Sequence, residues 1–282
     1  MAASLDIVIP TTRRTVNQLL WSLSQGDMHP DRVIVVTNEV ECLESFTDRF
    51  PVDVIHFGSK VHPIGHSDQA LRRNIGIWES TAEYVMTLDD DQFAPRNLVS
   101  SALEEVQKRR VVWGHHRFIN FDMHGESLLD LTPASGRSRE SHVNGEHLWM
   151  SAYAGLMVAE RSLLLDIGGY DMMFLGRGGN EDQSLGKRIS NFLGQNGKIW
   201  VSEPPFAWHP EGPRTHGTVK INSCGSASSW LEPITINGVK FNRCSKPACT
   251  YRVFADNEDR LFTDDLVIPY DPRTVTLKKE RI

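Results

Sequence analysis

The sequence predicts an α/β domain: a mixed, mostly parallel central sheet flanked by helices. Three observations carry that expectation. Short, largely apolar runs of strand length recur at 5–9, 33–36, 52–55 and 84–88. Stretches with helical spacing of apolar residues separate them, so successive strands pair in parallel through crossover helices. The runs stop at turn-forming or charged residues, which gathers the loops 10–13, 37–39 and 89–91 beyond the carboxyl ends of the strands, where open sheets of this type bind ligands.

Taken in order, the first run closes at Pro10-Thr11-Thr12 and precedes a helix over about 15–24. Val33-Ile34-Val35-Val36 is the second buried strand and stops at Thr37-Asn38-Glu39; a short helix near 41–49 leads to the third at 52–55. A helix over 67–80 carries Leu71, Ile75 and Trp78 at helical spacing, with Arg72, Arg73 and Asn74 beside them. It feeds the central strand Tyr84–Leu88. Pro95 suits a first helical turn, and the helix it opens extends to about Lys108 before Val111-Val112-Trp113 begins another strand. Residues 122–147 are polar, rich in Ser, Gly and His, and read as a long loop. A strand at 154–158, a short helix at 161–167 and the turn Gly168-Gly169-Tyr170-Asp171 follow. Asn180 can cap a helix through Leu185, Ile189 and Leu193, which Gly194–Gly197 closes before strand resumes at 198–201. Trp208-His209-Pro210-Glu211-Gly212 reads as a turn. Beyond about Thr215 the patterns are short and irregular.

At 282 residues the chain is long for one domain and short for two, so one main domain with an appended segment is expected. The net charge of −6 gives no overall attraction to DNA or to an anionic membrane. Met1-Ala2-Ala3-Ser4 lacks the basic start of a signal peptide, and no run is long enough to span a bilayer, so a cytoplasmic protein is expected. The four cysteines lack C-x-x-C pairing and are expected to be reduced thiols; a zinc site from Cys224, Cys244 and Cys249 with His216 is the weaker alternative.

Chemistry concentrates at two stretches. The central strand runs apolar and then ends on Asp89-Asp90-Asp91. On an extended backbone Asp89 and Asp91 share one side and Asp90 takes the other, so two carboxylates converge as a hard divalent cation such as Mg²⁺ or Mn²⁺ requires. A nucleotide diphosphate is the natural guest of such a cation. In the second stretch, Arg177-Gly178-Gly179-Asn180-Glu181-Asp182-Gln183, the glycines admit a ligand close to the backbone and the acids occupy a helix's first turn. Adjacent helical residues point about 100° apart, so one acid faces an acceptor hydroxyl as a general base while the other orients its neighbours. Arg13 and Arg73 are candidates for phosphate or ribose contacts. The remaining histidines His56, His115, His116, His124, His142 and His147 are set aside as structural; a neutral imidazole at His209 can complete a cation site.

Several of these stretches together resemble the GT-A glycosyltransferases, most of all the large family 2 of sugar-nucleotide-dependent enzymes. Val8-Ile9-Pro10-Thr11-Thr12-Arg13 resembles its first strand and donor loop, Arg72-Arg73-Asn74-Ile75-Gly76 its A-R-N-x-G helix, Leu88–Asp91 its D-x-D motif, and Gly168–Asp171 with Glu181-Asp182 its acceptor region. The resemblance covers about residues 5–212. It implies a Rossmann-like nucleotide-binding half (about 1–114) continuous with an acceptor-binding half (about 115–214), and 215–282 as an extension or lid. It also implies a nucleotide-diphosphate sugar, usually UDP-linked, with Mn²⁺ or Mg²⁺. Asp91 would be the main metal ligand, Asp89 a ribose contact or a ligand through water, and His209 the late histidine of the metal site. Asp182, or second to it Glu181, would be the base of an inverting transfer. Pro10, Thr11, Arg13, Glu39, Arg73, Asn74, Asp89 and Asp90 would line the nucleotide. Two positions depart from the pattern: Asn180 intervenes between the glycines and the acid pair, and Arg72 replaces a small residue. Expected acceptors are a small molecule, a protein or a glycan, and last a modified nucleobase. A nucleotidyltransferase and a non-catalytic sugar-nucleotide or glycan-binding module are the alternatives.

Overall fold

A computed structural model describes residues 3–11, 16–37, 48–59, 69–120, 137–138, 144–152, 155–172, 181–211, 231–236, 239–244, 253–255 and 270–281. Strands β1 (Leu5–Pro10), β2 (Arg32–Thr37), β3 (Val52–Ser59) and β4 (Tyr84–Leu88) run parallel in the order β3-β2-β1-β4. Helices α1 (Asn17–Ser24) and α2 (Gln69–Glu79) fall between them in sequence. After α3 (Leu98–Arg109) the sheet becomes mixed. β5 (Val111–Asn120) has β6 (Arg137–Ser138) antiparallel on it, and β8 (Leu156–Glu160) lies antiparallel between β4 and β5. β9 (Lys198–Glu211) runs parallel to β5, with β7 (Gly145–Leu148) antiparallel at its other side. Helices α4 (Arg161–Asp166) and α5 (Glu181–Phe192) precede β9. β10 (Leu231–Ile236), β11 (Val239–Cys244) and β12 (Val253–Ala255) form a separate antiparallel sheet, and β13 (Val275–Arg281) pairs antiparallel with β3.

Strands β1, β2, β4 and β8 are buried on both faces, which is why they read as continuous apolar runs. Alternate residues of one strand feed two cores. Val8, Ile34, Val36 and Val85 pack under α2, α4 and α5, whereas Ile7, Ile9, Val33, Val35 and Met86 pack under α1 and α3. Gly76 sets how closely α2 lies on β1: a Cβ there would stand 2.2 Å from Val8 Cγ1, so only glycine permits this approach. That contact fixes the position of α2, and with it Arg73 and Asn74.

Several elements differ from the sequence pattern. Pro95 stands outside α3 and accepts from the Leu98 N–H at 3.1 Å, because the preceding residues are committed elsewhere: Phe93 and Trp208 exchange both backbone hydrogen bonds, at 2.8 and 2.9 Å. His209 lies in β9 rather than in a turn. The β5–β9 ladder skips 203–205, resumes at His115↔Phe206 and runs through Phe118↔His209 to Glu211. The stretch 122–147 contains β6 and β7, and the strand expected at 154–158 begins at Leu156.

The last strand of the expected extension belongs to the central sheet, and Tyr270 packs edge-on against Trp78 of α2 at 5.2 Å. The basic residues there are solvated and paired, Lys279 with Glu79 and Arg281 with Asp53. Most of the helix near 41–49, together with Asn180, His216, Cys42, Cys224, Cys249 and the expected lid over 215–230, lies outside the described residues. No helix among the described residues is long and apolar enough to cross a membrane.

Candidate active site

Extended backbone stops at Leu88, and Asp90 and Asp91 lie in a turn. The alternation expected for the acids therefore fails, since it holds only while the chain stays extended. The three carboxylates instead fan out to three elements. Asp89 accepts from Arg73 Nη2 of α2 at 3.0 Å, Asp90 accepts from Thr11 Oγ1 just beyond β1 at 2.5 Å, and Asp91 Oδ2 lies 3.3 Å from His209 Nε2 of β9. Pro10 ends β1 and delivers Thr11, whose own N–H is held by Val36 O at 3.0 Å. The Phe93–Trp208 bridge brings the end of the acid turn to β9, and the Phe118 ring flanks His209 at 5.1 Å. Arg13 and Glu39 lie outside the described residues.

Arg73 is 4% exposed and joins the two stretches singled out in the sequence, for its Nη1 donates to Glu181 Oε1 at 3.1 Å while Nη2 holds Asp89. Its guanidinium also stands over the Tyr170 ring at 5.4 Å. Burial opposes its charge, but the surrounding groups, Asp89 first, hold it above its ordinary value. Glu181 starts α5 with Asp182. Burial, and after it the charge of Asp182, pushes the Glu181 carboxyl up to about 8, outweighing the opposing pull of Arg73. Glu181 turns inward to Arg73 and, with Asp89 in place on that guanidinium, favours its protonated form at neutral pH.

Asn74, expected at the nucleotide, is turned toward the Gly168–Asp171 turn. It is fully buried, its Nδ2 donates to the Tyr170 carbonyl at 2.7 Å, and its Oδ1 accepts from the Tyr170 N–H at 2.7 Å. It clamps the Gly168–Asp171 turn to α2, helped by Arg188, which donates to the carbonyls of Ile167 and Gly169 at 2.9 and 2.6 Å. Arg72 is also fully buried, over the Phe57 ring of β3 at 5.4 Å, and faces the core rather than a ligand. The sequence reading passed over His116 and Gln92. Gln92 is buried with its Nε2 3.0 Å from His116 Nε2, and a Cβ on Gly155 would lie 2.6 Å from both that nitrogen and Asp89 Oδ2. His116 thus faces the first aspartate across a missing side chain. Only the β5–β8 packing reveals this.

Among the described residues no group of three metal-ligating side chains converges. The Asp91–His209 pair nevertheless fits a divalent cation by its chemistry: carboxylate oxygen and imidazole nitrogen are acceptable donors, and such ions commonly take further ligands from phosphate and water.

No family model matches the chain, and no curated protein resembles it in sequence. Solved structures resemble it in fold. GalNAc-T7 with UDP, GalNAc and Mn²⁺ matches over 74% of this chain and 44% of its own, at 16% identity and a TM-score of 0.50. TarS 1–349 of S. aureus matches over 73% and 60%, at 14% identity and 0.49; its complex with UDP-GlcNAc matches over 74% and 59%, at 15% and 0.48. The chain spans less than two thirds of each. The architecture is the GT-A fold.

Proposed function

We propose that this protein is a metal-dependent, inverting glycosyltransferase that moves a sugar from a nucleotide-diphosphate sugar, UDP-linked, to an acceptor hydroxyl. The observation that carries the reading is the convergence, on a GT-A sheet, of the acid turn and the first residues of α5 on one buried arginine. Thr11, Asp89 and Asp90 are assigned to the nucleotide, and Asp91 and His209, with Asp89, to Mn²⁺ or Mg²⁺. The cation supplies positive charge against the diphosphate when bound. Asp182 is the assigned base: it takes the acceptor's proton as that oxygen bonds to the anomeric carbon from the face opposite the leaving nucleotide diphosphate. The raised Glu181 carboxyl supports this choice, since a group that keeps its proton at neutral pH is a poor base there. Residues 1–214 carry the catalytic groups in this reading, with β13 of the C-terminal extension completing their sheet, and the acceptor is a small molecule, protein or glycan.

The test is to incubate purified protein with a panel of nucleotide sugars and Mn²⁺ and to measure nucleotide release. UDP release that chelator abolishes is the expected result. Pyrophosphate release from a nucleoside triphosphate would reassign it to nucleotidyl transfer, and binding without turnover on any acceptor would make it a binding module.

A further inference from the structure

Arg73 lies within ion-pair distance of both the acid turn and the start of α5, and its surroundings leave it little freedom. Its helix is pinned at one point by the close approach of Gly76 to Val8 and at another by the Asn74 clamp on Tyr170. The Tyr170 ring closes off one face of the guanidinium. Two terminal nitrogens remain, and each holds a carboxyl oxygen from a different half of the chain, 16 and 108 residues away in sequence. A guanidinium buried this deeply must keep a carboxylate partner, because an uncompensated buried charge is strongly destabilising.

We propose, building on the glycosyltransferase reading above, that Arg73 is a positioning residue that couples the donor end of the site to the acceptor end: Asp89 and Glu181 share it, and Glu181 gives up its proton to become the carboxylate that retains it when a cation and nucleotide claim Asp89. Removing the Glu181 carboxyl on the acceptor side therefore weakens capture on the donor side, although Glu181 belongs to α5 and not to the acid turn. Because such coupling is reciprocal, donor binding in turn tightens the Arg73–Glu181 contact and fixes the first turn of α5, where Asp182 stands.

The experiment is calorimetric titration of UDP in the presence of Mn²⁺ into the full chain and into Glu181→Gln, Arg73→Gln and the double variant, with thermal melts to establish that each is folded. Glu181→Gln is expected to lower UDP affinity about tenfold, within the usual range of coupling between sites. In the Arg73→Gln background the same substitution is expected to change affinity by less than about twofold, the limit within which independent sites add. If Arg73→Gln does not melt cooperatively, Arg73→Lys takes its place: an ammonium keeps the charge but lacks the fork, and the Glu181→Gln effect should shrink there too. Wild-type affinity in Glu181→Gln, or the same loss with and without Arg73, overturns the coupling while leaving the donor reading intact. Absence of any Mn²⁺-dependent UDP binding by the wild-type chain overturns the donor reading and the coupling together.

Discussion

His209 Nε2 lies 3.3 Å from Asp91 Oδ2, and the two meet because their neighbours Trp208 and Phe93 exchange both backbone hydrogen bonds. An imidazole on the last-but-one paired strand is thereby set against the turn that ends the central one. If this pair holds the cation, His209→Gln and Asp91→Asn should each lower Mn²⁺-dependent UDP affinity by on the order of 10–100-fold, the loss seen even for groups that only support a metal's ligands. Calorimetry with and without chelator measures this. Both side chains are partly exposed, at 31% and 24%, so stability should change little. Retained affinity in both variants would remove these residues from the metal site.

The base assignment separates on kinetics. Asp182→Asn should lower kcat by about 10²–10⁴, the usual contribution of proton abstraction, while UDP binding stays near wild type. Nucleotide release in the presence of acceptor gives the first quantity and calorimetry the second. Full turnover in Asp182→Asn would transfer the role to Glu181 or indicate retention of configuration.

Glu181 also gives a pH signature in stability. With Asp89 charged against Arg73, the Glu181 carboxyl is held up to about 8 by burial and by Asp182, above the ordinary 4.5. The folded state thus binds this proton more tightly than the unfolded chain does. The associated stabilisation is fully present below about pH 4.5 and is lost as pH rises through about 8. Relative to Glu181→Gln, which does not titrate, the wild type should lose stability steadily across that window in urea denaturation. A difference that grows with pH would mean that the Arg73 charge wins and Glu181 is ionised.

The strands, their loops and the acid-tipped β4 were legible because burial on both faces writes continuous apolar runs into the chain, and polar residues stop them where the sheet ends. What those acids touch was not legible. Asp89, Asp90 and Asp91 leave extended backbone at once, so each finds a partner from a different element, and alternation says nothing of Arg73, Thr11 or His209. The extension of β9 through His209 was hidden by Glu203-Pro204-Pro205, which interrupts the ladder without ending it. Asn74 reads as a nucleotide contact next to Arg73, yet its partner Tyr170 is 96 residues away and local pattern cannot signal that pairing.

That clamp gives the sharpest stability prediction. Asn74→Ala leaves the buried Tyr170 N–H and carbonyl without their partner, which should cost roughly 2–6 kcal/mol at 1–3 kcal/mol for each unpaired group. Gly169→Ala attacks the same contact from the other side. Its φ of +71° is left-handed, and the added Cβ would stand 2.3 Å from Asn74 Oδ1, so the clamp must open as well. The backbone term alone costs roughly 1–2 kcal/mol. Because both substitutions break one contact, urea denaturation of the double variant should show a loss smaller than the sum of the two. UDP affinity of Asn74→Ala, measured well below its melting temperature, should stay within about twofold of wild type, since the close approach of Gly76 to Val8 still holds α2 and Arg73 in place. A large loss of UDP affinity with stability unchanged would instead return Asn74 to the nucleotide.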